Sequence, residues 1–93
     1  MPSAFPPLHD PGYRLFVERL VALRRAGGIT QADLARRIGK PQSYVSKTER
    51  FERRVDPAEF YALVTALGAD PVSEFAGIAA ILEQEETLSR GQR

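Results

Sequence analysis

Apolar residues recur along this chain at helical spacing. Phe16, Leu20 and Leu23 fall at i, i+4 and i+7, and Val17 and Val21 widen the stripe. Asp10 as N-cap with Pro11 in the first turn opens this helix, and Gly27-Gly28 stops it. Thr30 caps a second helix, in which Asp33 favours the first turn and Leu34, Ala35 and Ile38 face inward. It ends at Gly39. Lys40-Pro41 opens a third, running to about Arg50 with Val45 as its clearest inward residue. Asp56-Pro57 starts a fourth, with Phe60, Leu63, Val64 and Leu67 inward and Gly68 as its close. Asp70-Pro71 repeats the same signal for a fifth, from about 72 to 86. No strand-like alternation interrupts these elements, and the connections are short. The pattern predicts a compact, all-α, five-helix domain.

Composition narrows the chemistry. At 93 residues the chain suits one domain. Pro2, Pro6, Pro7 and Pro11 mark residues 1–11 as a loose arm before a body over residues 12–88. There is no cysteine, and the single histidine, His9, lies in the proline-rich stretch, so no metal site and no cofactor are expected. No apolar run approaches the about 20 residues of a membrane span, and the N-terminus has no basic n-region or apolar h-region. Cytoplasmic residence is the expectation. Convergent acid–base or nucleophilic groups are also missing, which argues against an enzyme and a small-molecule substrate.

The net charge of +1 hides a division. Residues 14–54 carry eleven Lys/Arg against four acids, whereas residues 55–93 carry two against seven. A basic half of this kind can neutralise phosphates and release counterions. Geometry points the same way. A helix about 10–12 Å wide fits the major groove, where each base pair shows its own donor–acceptor pattern. A preceding helix must brace it, which favours a small residue at the crossing, met by Ala35, and a turn tolerant of left-handed backbone, met by Gly39.

The stretch ITQADLARRIGKPQSYVSKTER, with Ile29, Thr30, Gln31, Leu34, Ala35, Ile38, Gly39, Gln42, Ser43, Val45, Ser46, Lys47, Glu49 and Arg50 at matching spacing, resembles the lambda-repressor-like, XRE-type helix-turn-helix family. The resemblance extends over about residues 13–72. It implies a lambda-repressor-like fold, helices 2 and 3 forming the helix-turn-helix, and sequence-specific binding of double-stranded operator DNA. It places Gln42, Ser43 and Lys47 over base edges, where glutamine suits adenine and lysine suits guanine. Tyr44 is a further candidate, for a base contact through a thymine methyl or for a phosphate. Gln31, at a helix start, is a candidate phosphate contact, as are Ser46, Arg50, Arg53 and Arg54. The resemblance also pairs Glu49 with Arg24 of the first helix. Two residues depart from the family pattern. Phe51 stands where glycine is usual and should send the loop on another course, because phenylalanine tolerates positive φ poorly. Thr48 replaces an apolar residue and should thin the packing under the third helix.

In the last helix Phe75, Ile78 and Leu82 form a stripe that one core could bury, Ile81 and Leu88 extend the apolar surface sideways, and all five are candidates for a dimer face. A homodimer fits, because paired half-sites need a two-fold protein. A small homodimeric repressor is the expected function. The alternative is an autorepressing antitoxin, with a toxin as its protein partner.

Overall fold

The computed structural model describes residues 10–91, with side chains described through Glu86. Residues 1–9 of the expected arm lie outside the described residues, and Asp10 and Pro11 already form the start of a helix. Five helices follow: α1 (Pro11–Ala26), α2 (Gln31–Arg37), α3 (Gln42–Glu49), α4 (Pro57–Ala66) and α5 (Pro71–Gly91). There is no strand among the described residues. The fold is all-α, as the periodicity requires.

The starts are set by side chains. The Asp10 carboxylate accepts the N–H groups of Gly12 and Tyr13, and Thr30 Oγ1 accepts that of Asp33 at 3.0 Å. At α4 the arrangement is reciprocal. Asp56 accepts the Glu59 N–H at 2.7 Å, and Glu59 Oε1 accepts the Asp56 N–H at 3.0 Å. This box satisfies two donors that a helix start leaves over. Asp70 accepts the Ser73 N–H in the same way at α5. Only α3 starts without such a bond; its cap is Pro41.

The ends share one device. After α1, α2 and α4 a glycine at positive φ (Gly28, Gly39, Gly68) lets two N–H groups turn back onto the last carbonyls. After α2 these are Gly39 to Arg36 O at 3.2 Å and Lys40 to Ala35 O at 2.9 Å. This is the Schellman pattern. After α3 the same pair recurs, Phe51 to Thr48 O at 3.2 Å and Glu52 to Lys47 O at 2.8 Å, with Phe51 itself at φ 61°. The expected detour is therefore corrected. The loop keeps the left-handed step, because Phe51 is held from outside: its ring is half-buried, with the Arg14 guanidinium 4.8 Å from its centroid. The step costs about 1–2 kcal/mol for a residue with a Cβ, and the ring contacts and two carbonyl-capping bonds oppose that cost.

The core gathers one face of every helix: Val17 and Leu20 from α1, Leu34 and Ala35 from α2, Val45 from α3, Phe60, Leu63 and Val64 from α4, and Ile78 from α5. Each fully buried aliphatic side chain contributes about 1.5–3 kcal/mol relative to exposure. Phe16 joins α4 and α5 by meeting Phe60 edge-on at 5.5 Å and Phe75 at 5.8 Å. Helix α5 runs five residues past its expected end. The stretch Glu83–Arg90 contains no glycine or proline and several strong helix formers, so nothing stops the helix earlier.

Candidate nucleic-acid interface

Helix α3 divides cleanly into two sides. Val45 and Thr48 are buried, and Tyr44 is turned inward. Gln42, Ser43, Lys47 and Arg50 are exposed. Among the described residues, the side chains of Gln42, Ser43 and Lys47 make no hydrogen bond or ion pair, so three adjacent polar groups face solvent with their hydrogen-bonding capacity open. Arg50 pairs with Glu52 at 2.6 Å, both exposed. Such a surface pair contributes little and exchanges readily. Ser46 is half-buried at the edge of this face. Arg54 is exposed, with its guanidinium 5.9 Å from the Tyr13 ring.

Three of the expected contact residues are engaged within the protein. The Gln31 amide donates to Glu49 Oε1 at 2.9 Å. Tyr44 and Arg53 both donate to Glu59 Oε2. Arg53 also donates to Thr48 Oγ1 at 3.1 Å and lies 4.0 Å from the Tyr44 ring centroid. Lys40 Nζ lies 5.6 Å from the same ring. Thr48 completes the cluster by donating to the Tyr44 carbonyl at 2.8 Å. At 2 % exposure, with its hydroxyl both donating and accepting, Thr48 fills its place under α3. The expected thinning of packing does not occur.

The electrostatics follow from these bonds. Burial, then the bond to Glu59, pushes the Tyr44 phenol up to about 12. Burial opposes ionisation of Glu59, yet the bonds from Tyr44, the Asp56 N–H and Arg53 together hold its carboxyl below the usual carboxylate value. Tyr13 adds a backbone tie: its hydroxyl donates to the Arg53 carbonyl at 3.1 Å and accepts the Val55 N–H at 2.9 Å. Glu59 and Tyr13 were not apparent as site residues in the sequence. The Asp56-x-x-Glu59 spacing signals a capping box, but nothing local signals that the free carboxylate oxygen reaches Tyr44, fifteen positions earlier.

A second knot holds the other side. Glu49 takes Arg24 Nε at 2.6 Å and Nη2 at 2.9 Å, with the two side chains only 11 % and 12 % exposed. Arg24 Nη1 also donates to the Ile29 carbonyl at 2.9 Å. The bond to Glu49 raises the Arg24 pKa further. One carboxylate thus ties the end of α3 to α1 and to the start of α2. Arg37, exposed at the end of α2, donates to the Ala66 carbonyl at the end of α4.

Phe75 (50 %) and Ile81 (45 %) of α5 are exposed, and Leu82 is half-buried against the core. Ile78 is buried within the subunit's own core, so it cannot lie on an external face. The Leu88 side chain lies outside the described residues. Phe75 also borders an apolar groove of about 490 Å³ with Tyr13, Phe16, Phe60, Tyr61 and Val72. Among the described residues no cluster of His, Cys, Asp and Glu is suited to a metal, and no single helix is long and apolar enough to cross a membrane.

Comparison with known proteins agrees with this geometry. The helix-turn-helix domain family model matches residues 15–75. An XRE-family-like protein from Pseudomonas syringae pv. tomato is 42 % identical, with a TM-score of 0.76 over 80 % of this chain and 90 % of that one. Two further structures, each 24 % identical, share the fold. The clp gene regulator ClgR from Corynebacterium glutamicum gives a TM-score of 0.66 over 91 % of this chain and 92 % of that one. A hypothetical transcription factor, NHTF, from Neisseria gives 0.61 over 80 % and 84 %. A search of curated proteins finds no match.

Proposed function

Since this chain belongs to the XRE-type helix-turn-helix family and is a DNA-binding transcriptional regulator, we propose that it acts as a homodimeric repressor. In this reading α3 lies in the major groove of operator DNA. Gln42, Ser43 and Lys47 read base edges, and Ser46, Arg50 and Arg54 contact phosphates. The observation that carries this assignment is the open, unpartnered polar triad on the outer side of a helix whose inner side is fully committed to the core. Gln31, Tyr44 and Arg53 serve differently, as their polar ends have internal partners. The exposed Phe75 and Ile81 of α5 meet their equivalents in a second copy, so that two α3 helices face successive major-groove segments.

Selection from random duplexes tests the reading. The expected product is an inverted repeat with half-site centres about 10 base pairs apart, or a multiple of that spacing. Lys47→Ala should relax preference at one base position, while Arg50→Ala should weaken binding to every sequence and lower the salt slope by about 1. Absence of affinity for any duplex at low ionic strength would end this reading. Sedimentation as a monomer at tens of micromolar would remove the dimer alone.

A further inference from the structure

We infer that Arg53 and Glu59 are positioning residues that set base discrimination by α3 without touching DNA. This inference rests on the DNA-reading role just proposed for α3, and it concerns residues that such a role does not itself require.

The cluster has a definite mechanical form. Arg53 lies in the loop after α3 and Glu59 in the first turn of α4. Between them they grip α3 at two places one turn apart. The Tyr44 hydroxyl donates to Glu59, and Thr48 Oγ1 accepts from Arg53. Positions i and i+4 lie on one stripe of a helix, so two such points fix rotation about the axis as well as tilt. The clamp is anchored in turn. Glu59 Oε1 is bound to the Asp56 N–H of its capping box, and the Arg53 carbonyl accepts from Tyr13 of α1. Side-chain exposures of 26 % for Arg53 and 23 % for Glu59 leave this ion pair partly shielded, unlike the exposed Arg50–Glu52 pair.

The consequence for recognition is geometric. Gln42, Ser43 and Lys47 are exposed on the helix whose half-buried Tyr44 and buried Thr48 are held by the clamp. A bidentate base contact demands both position and direction, whereas attraction to the phosphate backbone is tolerant of both. Loosening the clamp should therefore degrade discrimination more than general affinity.

The sign of one substitution separates positioning from charge. Glu59→Gln removes a negative charge, so simple electrostatics makes every duplex bind more tightly. Loss of positioning makes the selected duplex bind less tightly. The test uses the full chain and two fluorescent duplexes, one selected from a random pool and one with its sequence scrambled, each titrated from 50 to 200 mM salt. For Glu59→Gln and Arg53→Gln the ratio of the two affinities should fall about tenfold, with the salt slope unchanged. Arg53→Lys, which keeps the charge but not the fork that spans Thr48 and Glu59, should resemble Arg53→Gln. Tyr44→Phe, which keeps the ring and loses only the Glu59 bond, should give a smaller fall in the same ratio and controls for variants that fold poorly. If Arg53→Gln weakens both duplexes equally and lowers the salt slope by about 1, Arg53 is a phosphate contact and the inference is overturned. An unchanged ratio for Glu59→Gln overturns it also. Failure of the unmodified chain to bind either duplex strikes instead at the DNA-reading role.

Discussion

The two turns that bracket α3 share a backbone but not a chemistry. Before it, Gly39 at φ 69° has nothing within 4 Å of where a Cβ would stand. After it, Phe51 at φ 61° makes the same left-handed step with a bulky ring attached. The first turn is permitted from within, by a residue with no steric preference against the conformation. The second is imposed from without, by the ring seated beside Arg14, by the Schellman bonds and by the neighbouring knots at Glu49 and Arg53. A conformation that one position obtains from residue type, the other obtains from its surroundings.

That contrast can be broken at its outer supports first. Glu49→Ala leaves Arg24 and the Gln31 amide without their shared acceptor. It should cost about 3 kcal/mol, with a fall in Tm on the order of 15 °C by calorimetry. An unchanged Tm would show that the turn after α3 needs no tether to α1. Next comes the ring. Phe51→Ala keeps the strained backbone and loses the support, and should cost about 2 kcal/mol in urea unfolding. Phe51→Gly loses the same ring but relieves the backbone, so it should be the more stable of the two by about 1 kcal/mol. Equal stabilities would mean that positive φ carries no strain here. Gly39→Ala sharpens the other side of the comparison. With open space around the added methyl, its expected cost of about 1 kcal/mol is backbone strain alone.

The last effect is a matter of pH. Tyr44 has its folded pKa raised to about 12 from the ordinary 10, so the neutral phenol is favoured by folding. Its contribution is complete below pH 10 and declines as pH rises from 10 to about 12, where both states ionise. Glu59 has the opposite sign. Its depressed carboxyl stabilises the fold above its ordinary value of 4.5 and loses that effect as the pH falls through the folded pKa. Tm profiles of wild type and Tyr44→Phe should therefore converge across pH 10–12, and parallel profiles would count against the burial of this hydroxyl.

These examples also show why some features were legible in the chain and others were not. The starts at Asp10-Pro11, Thr30, Asp56-Pro57 and Asp70-Pro71 depend on residues two or three positions apart, so local chemistry reveals them. Gly39 announces its turn for the same reason. Phe51 announces the wrong turn, because its supports come from α1 and from residues that only folding brings near. Likewise the outward placement of Gln42, Ser43 and Lys47 follows from helical period around buried Val45. The inward commitments of Gln31 to Glu49 and of Arg53 to Glu59 involve acceptors on other elements, and an arginine in a loop reads as solvated until its partner is located. Thr48 shows the same limit on a smaller scale. A hydroxyl in a core position suggests loose packing until the donor that reaches it is known.

The repeated step that ends α1 to α4 has a consequence for how the body breathes. Ile29, Lys40, Glu52 and Ala69 lie in connections, yet each donates its N–H back across a turn, at 3.0, 2.9, 2.8 and 3.1 Å respectively. In deuterated solvent these four amides should trade protons at the slow pace of helix interiors while their loop neighbours exchange quickly. The connections would then behave as rigid elbows, and adjustment to a duplex would fall to side chains.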